Sequence, residues 1–340
     1  MVTTTAALEV HAHCNEDCFD LPAWPRLLAL DPNRNVFSTP EWNKLWWKEF
    51  RAGKELFFLT LERTRELAAI VPLYRKIEHG RSVLRFVGGI DLTDYLGPVC
   101  SMADRDLVAE SLIRWLNETD VEWDELDAHN MPVPSGFAEY LVDRADRSGL
   151  EFTLEQEETA AVLPLPAEWE VYLSGLDKKQ RHELRRKRRR LAQAHPEARF
   201  RTATEDSLAR DLRTFVDLHR GAEGHKGHFM RPEIASFFEG IAAEFFPRGW
   251  LRLDLLELGG SALAATFGFE LDGRFYLYNS AYEPDAARLS PGLVLVSELV
   301  KESIARKLAS FDFLRGPERY KYQLGAQAVP LNNVRVLNHH

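Results

Sequence analysis

The sequence predicts an α/β chain of two similar halves joined by a basic helical linker. Three observations carry this. A hairpin, a strand, a helix and a further strand follow one another twice, once in each half. Between the two runs, residues 169–194 have helical apolar spacing and a very basic outer face. The 340 residues are 45% hydrophobic and 28% charged, a globular balance with enough chain for two ordinary domains. The expected boundaries are 1–165 for the first domain, 166–195 for the linker and 196–340 for the second domain. Each domain is expected to be a twisted mixed sheet flanked by helices.

In order along the chain, residues 8–13 read as a strand and 21–30 as a short helix. The run Phe37-Ser38-Thr39-Pro40-Glu41-Trp42 is a helix start. Thr39 caps free amides, Pro40 suits the first helical position, and Glu41 favours the positive helix end. Trp42, Leu45, Trp46 and Phe50 then fall on one face. Residues 55–62 and 67–76 are β-rich and form a hairpin. Strands at 83–87 and 94–99 follow, separated by Gly88-Gly89. A helix at 105–117 turns Leu107, Leu112, Ile113 and Leu116 inward, and a strand at 123–129 closes the first run.

The linker places Leu173, Leu176, Leu184 and Leu191 inward. Lys178, Lys179, Arg181 and the unbroken run Arg185–Arg190 face outward. A helix at 207–219 leads to a glycine- and histidine-rich stretch, 221–229, and another helix covers 232–246. The second run has strands at 250–258 and 262–271 around Gly259-Gly260, a strand at 274–281, a helix at 291–308 and a strand at 311–314. Leu67-Ala68-Ala69 and Leu263-Ala264-Ala265 echo each other in the two hairpins.

Composition narrows the function. A net charge of −9 argues against a dedicated nucleic-acid binder, although a local basic patch still acts inside an acidic chain. No run approaches the roughly 18 apolar residues of a membrane span. Residues 1–10 lack a basic start followed by an apolar core, and three cysteines make no disulfide framework. The cytoplasm is therefore the expected compartment. His11, His13, Cys14 and Cys18 fit no zinc spacing, so no metal is expected.

Two motifs carry chemistry. Arg288-Leu289-Ser290-Pro291-Gly292-Leu293 follows a strand and opens a helix. Ser290 suits an N-cap, Pro291 the first turn, and Gly292 lets a ligand approach the backbone. Free amides at such a helix mouth suit a diphosphate, with Arg288 adding charge. Ser-Pro-Gly also begins helices that bind nothing. The second motif is FDFLRGPERYKYQLG, residues 311–325. It delivers a polar cluster past the end of a buried strand, where open α/β sheets place ligands.

The phrase FDFLRGPERYKYQLGA resembles the signature of a group within the GNAT superfamily. These are bacterial proteins labelled FemAB-like or cellulose-biosynthesis-like acetyltransferases. DLHRGAEGHKGHFM (217–230), YLYNSAYEPDAARLSPG (276–292) and TDYLGPV (93–99) resemble further blocks of that group, in the same order. The resemblance runs from about Phe37 to Ala326 and implies tandem GNAT-like domains. It also implies acetyl-CoA or another acyl-CoA as donor substrate, held in the second domain without a metal. Tyr278, Asn279 and Ser280 would lie along the pantetheine, and Arg288, Ser290, Gly292 and Leu293 would hold the diphosphate. Tyr320 would protonate the leaving thiolate, with Tyr322 as second choice. This diphosphate loop has fewer glycines than the general GNAT pattern.

The remaining chemistry is N-acylation of an amine by direct attack on the thioester. His219, Glu223, His225, His228, Asp312 and Glu318 are candidate bases, a histidine being suited by its ordinary pKa of roughly 6.5. The histidines also read as solvent-exposed loop residues, and a bound water would serve as well. Asp94, Tyr95, His219, Arg315 and Lys321 are the expected acceptor-binding groups. The acceptor would be an amine of a small molecule or a cell-envelope or sugar precursor. The basic linker keeps a FemAB-type aminoacyl-tRNA-dependent transferase open as an alternative. So does the thought that a GNAT-like fold can persist as a non-catalytic binding module.

Overall fold

The computed structural model describes residues 7–221 and 229–338. Two compact units divide the chain: residues 1–159 with 329–340, and residues 160–328. The chain's last strand thus belongs to the first unit, whereas the sequence reading assigned everything from 196 to 340 to the second domain.

The first unit contains β1 (Glu9–His13), α1 (Trp24–Leu30), α2 (Pro40–Phe50), β2 (Glu55–Arg63), β3 (Glu66–Glu78) and β4 (Arg81–Phe86). β5 (Val99–Cys100), α3 (Arg105–Glu118), β6 (Glu125–Pro132) and α4 (Phe137–Arg147) follow. β7 (Glu151–Pro164) then carries the chain into the second unit. There lie α5 (Trp169–Gly175), α6 (Lys178–Ala194), β8 (Arg199–Thr202), α7 (Leu208–Arg220), α8 (Pro232–Phe245), β9 (Leu251–Leu258), β10 (Ser261–Leu271) and β11 (Arg274–Tyr282). α9 (Pro291–Ala305), β12 (Ser310–Arg315) and α10 (Arg319–Gln323) complete it, and β13 (Gln327–Leu337) returns to the first unit.

The first unit's sheet runs β1-β2-β3-β4-β6-β13, with β5 pairing on β3. All of these contacts are antiparallel except β4–β6. One face is covered by α3 and α4 over Leu59, Val71, Leu84, Leu126 and Val334. Trp24 and Phe19 pack on Phe58, and Trp46 on Tyr74, as an aromatic layer. α2 starts as its sequence demands: Thr39 Oγ1 accepts from Trp42 N at 3.3 Å and Pro40 is the first helical residue. The turn Thr64-Arg65 joins β2 to β3 with both residues at positive φ, the twist a two-residue hairpin needs.

The second unit's sheet runs β7-β12-β11-β10-β9-β8, antiparallel except for β11–β12. α7 and α8 cover one face through Phe215, Phe238 and Phe245, which meet Phe267 and Phe269. α9, α5 and α6 cover the other, around Leu256, Phe275, Val296, Val300 and Phe311.

Three expectations need correction. Residues 94–98 are not a strand, and only Val99–Cys100 pair with β3. Asn130 Nδ2 donates to Ile90 O (3.1 Å) and Thr93 O (2.8 Å), and Leu96 N donates to Asn130 O (3.0 Å), so single bonds to one residue hold this segment as a loop in place of a ladder. The basic linker is two helices, not one, because Asp177 caps a new start by accepting from Gln180 N at 2.8 Å. Ser290 precedes α9 but is left-handed (φ 56°) and makes no side-chain cap bond. Its side chain therefore does not play the cap role the sequence suggested.

Candidate active site

β11 and β12 run parallel and pair only at Arg274↔Ser310, Phe275↔Phe311 and Tyr276↔Asp312. Beyond Tyr276, β11 continues to Tyr282 bound only to β10, while β12 continues to Arg315 bound to β7. The two strands thus part at their C-terminal ends. Peptide groups along that edge of β11 are left outside the β11–β12 ladder, at the sheet end where open α/β sheets bind ligands.

A bulge shapes this edge. Phe267 faces Asn279 and Gly268 faces Leu277, so Tyr278 is the extra residue. Tyr278 and Asn279 consequently turn to the same face. The Tyr278 ring lies 5.5 Å from Phe238 of α8 and 5.3 Å from Phe269. Asn279 Oδ1 lies 3.0 Å from His219 Nε2, at the end of α7, and accepts from Ser280 N at 2.8 Å. An oxygen that accepts a backbone N–H is the amide carbonyl, so His219 carries its proton on Nε2 and donates it. His219 is 2% exposed, held between Phe215 and Phe229. Asn279 is half-buried, and among the described residues its Nδ2 has no hydrogen-bond partner.

α9 opens beside this edge. Its first helical bond is Val294 N to Ser290 O (3.1 Å), and Pro291 has no N–H. The amides of Gly292 and Leu293 are therefore the ones at the helix mouth. A side chain at Gly292 would approach Tyr282 Cδ1 to 3.4 Å, so the missing Cβ leaves room for that ring as well as for a ligand. Arg288 is exposed in the preceding turn, and Leu293 is half-buried against the core.

On the β12 side the motif folds into a tight turn. Leu314 is left-handed (φ 60°), and its N–H donates to Asp312 Oδ1 at 2.8 Å. Lys321 is only 3% exposed: it donates to Leu314 O and Arg315 O and pairs with Glu318 at 2.9 Å. Those three partners use its three N–H groups, so the ammonium that the sequence offered for acceptor binding ties the turn together instead. Gly316 lies at φ 120°, a backbone conformation that favours glycine, and a Cβ there would fall 2.2 Å from Glu318 Oε2 and push that carboxylate aside. Tyr320 is half-buried, edge-on to Phe313 at 6.2 Å. Burial, with the charge of Glu318 added, pushes its hydroxyl pKa well above the ordinary 10, so it stays protonated. Tyr322 is half-buried and Arg315 half-buried at the strand end.

Asp94 and Tyr95 lie in the first unit, half-buried in the 88–98 loop. Tyr95 lines a small hollow of about 50 Å³ with Phe37, Asn43, Asp31 and Arg105, and its ring meets Phe37 at 6.0 Å. Arg105 Nη2 and Asp31 Oδ1, both almost fully buried, form an ion pair of 2.7 Å in its wall. Glu223, His225 and His228 lie outside the described residues. Among the described residues no group of three or more His, Cys, Asp or Glu side chains could hold a metal, and no helix is long and apolar enough to cross a membrane.

Sequence reasoning missed the Asn279–His219 link, which joins residues 60 positions apart. It also missed a clamp in the first unit. His129 lies between Asp127 (2.9 Å) and Glu157 (2.6 Å), with Arg85 on Asp127 at 2.9 Å. Neither has a local sequence signature.

A mixed sheet whose parallel strands part beside a glycine-bearing helix mouth leaves open backbone amides at the sheet end where α/β folds hold ligands. Residues 178–322 match the family described as an acetyltransferase (GNAT) domain. No curated protein matches the chain by sequence. The fold of the whole chain is similar to that of FemX (TM-score 0.67, 12% identity, 97% of this chain and 98% of that one). It is also similar to a conserved protein of unknown function from Bacteroides thetaiotaomicron (0.61, 11%, 96% and 100%). A third likeness is the C-terminal DUF2156 domain of an Agrobacterium fabrum protein described as a lysylphosphatidylglycerol synthetase (0.56, 12%, 87% and 86%).

Proposed function

We propose that the protein is an acyl-CoA-dependent N-acyltransferase whose donor substrate lies along the parted edge of β11. The observation that carries this reading is the loss of β11–β12 pairing after Tyr276 and Asp312, beside the mouth of α9. The pantetheine would bond the edge of β11, and the Gly292 and Leu293 amides would take the diphosphate. The acceptor is an amine, which attacks the thioester carbonyl after losing a proton. Tyr320, held protonated by burial, supplies the leaving thiolate with a proton. Calorimetry with acetyl-CoA and longer acyl-CoAs tests the reading. Binding is the expected result; no heat and no thermal shift with any of them removes it.

A second reading, an aminoacyl-tRNA-dependent transfer, is favoured by α6. This helix carries nine basic residues and one acidic residue in a chain of net charge −9. Arg181 caps the end of α5, Arg188 stacks on Trp169 and bonds Ser297, and Arg185 and Arg186 pair with Glu170 and Glu183. Lys178, Lys179, Arg189 and Arg190 are exposed and have no such partner among the described residues. A gel shift with charged tRNA discriminates, since such binding weakens steeply as salt rises.

A further inference from the structure

We propose that Asn279 is a catalytic hydrogen-bond donor to the oxyanion of acyl transfer, and that His219 is the residue that positions it. The inference rests on the acyl-CoA reading above.

Asn279 Oδ1 is held by two donors, His219 Nε2 at 3.0 Å and Ser280 N at 2.8 Å. A planar amide fixed through its oxygen has no freedom to flip, and its Nδ2 is directed away from both donors. That NH₂ has no partner among the described residues and belongs to a half-buried side chain on the parted strand. The bulge at Tyr278 is what turns Asn279 onto the face of α7, within reach of His219. The ring of His219 is itself packed by Phe215 and Phe229. A donor immobilised before the substrate arrives costs no reorganisation when charge develops, which is the requirement for electrostatic catalysis.

Ser280 N, the nearest backbone alternative, is already spent on Asn279. In the reaction, the amine lone pair forms the C–N bond and the carbonyl π pair moves onto oxygen, where Asn279 Nδ2 donates to it. As that pair returns, the C–S bond breaks and its electrons leave on sulfur, which takes up a proton. The amine nitrogen releases its own proton to water. Asn279 and His219 begin and end in the same state.

The test uses the full chain, acetyl-CoA and the amine that supports most thiol release. Asn279→Asp keeps an acceptor for His219 and Ser280 N but removes the NH₂, so the strand stays in place while the donor is lost. Turnover is expected to fall about 100-fold or more, the usual cost of losing one oxyanion donor. Acetyl-CoA affinity should stay within about threefold, the pattern of a contact made only in the transition state. His219→Leu should lose most of the same factor, His219→Gln should retain it through its own NH₂, and the double variant Asn279→Asp, His219→Leu should be no worse than Asn279→Asp. Asn279→Asp with unchanged turnover overturns the proposal, as do equal losses of turnover and affinity. A wild-type chain that binds no acyl-CoA overturns both this proposal and the reading beneath it; normal binding with an inert Asn279 overturns this one alone.

Discussion

Asn130 and Leu314 hold equivalent places in the two units. Each is a non-glycine residue at positive φ, 54° and 60°, within the bulge of the strand that follows its unit's central helix. In both units that strand pairs in parallel with its neighbour for only two or three residues before the two part. The outcomes differ because the side chains differ. Asn130 grips Ile90 O and Thr93 O, its carbonyl accepts from Leu96 N, and Trp42 Nε1 donates to Thr93 Oγ1 at 3.0 Å. Trp46 also packs so close to Gly89 that a Cβ there would sit 2.7 Å from its ring. The first unit fills its own opening. Leu314 has no polar group to do likewise.

One donor site per chain follows. Calorimetry with acetyl-CoA is expected to give a stoichiometry of one. Gly292→Asp should weaken it about tenfold or more, since a carboxylate at the helix mouth repels a diphosphate and crowds Tyr282. A stoichiometry of two refutes the argument from Asn130.

Tyr320→Phe removes the proposed acid and leaves the ring against Phe313. Turnover should fall about 10- to 100-fold, within the usual span for general acids, with donor affinity unchanged. Because burial raises the Tyr320 pKa, the wild-type rate should show no loss from this group near pH 10. Stopped-flow thiol release across pH reads both effects.

His129 gives a pH dependence of stability. Burial opposes its charge, but Asp127 and Glu157 outweigh that and raise its pKa from 6.5 to about 9. A raised folded pKa means the contribution is fully present below about 6.5 and is lost as pH rises through about 9. His129→Gln should therefore cost on the order of 2 kcal/mol near pH 6, less than a fully buried pair, and the difference should shrink above pH 9. Thermal unfolding of both proteins across that range measures it.

The buried Asp31–Arg105 pair should behave asymmetrically. Arg105→Met leaves a carboxylate stranded in the wall of the hollow and should cost about 3–5 kcal/mol. Asp31→Leu with Arg105→Met removes both charges and should recover much of that. Denaturant midpoints of the two variants give the comparison.

Much of this was legible locally. The Thr39-Pro40 helix start, the Gly259-Gly260 turn and the basic helix are written in neighbouring residues, and the structure has each of them. The duplicated order of elements was legible too, although its letter echo is one residue out of register. The bulge falls at Ala68 in β3 but at Leu263 in β10. What was hidden depends on distant chain. β7 and β13 have ordinary strand composition and acquire meaning only from partners in β12 and β6. Lys321 looked like a ligand-binding cation because its captors, two carbonyls, have no sequence signature. His219 was singled out as an acceptor-binding group or base, yet its partner Asn279 was noted only as a residue along the pantetheine.

The return of β13 to the first unit bears on how the chain is born. A ribosome releases the first unit's helices and five of its six sheet-path strands early, then makes the entire second unit before the sixth strand emerges. Until then β6 shows a bare flank, the kind of edge that invites wrong pairing. A gene cut at residue 165 would encode a first half that never receives its last strand.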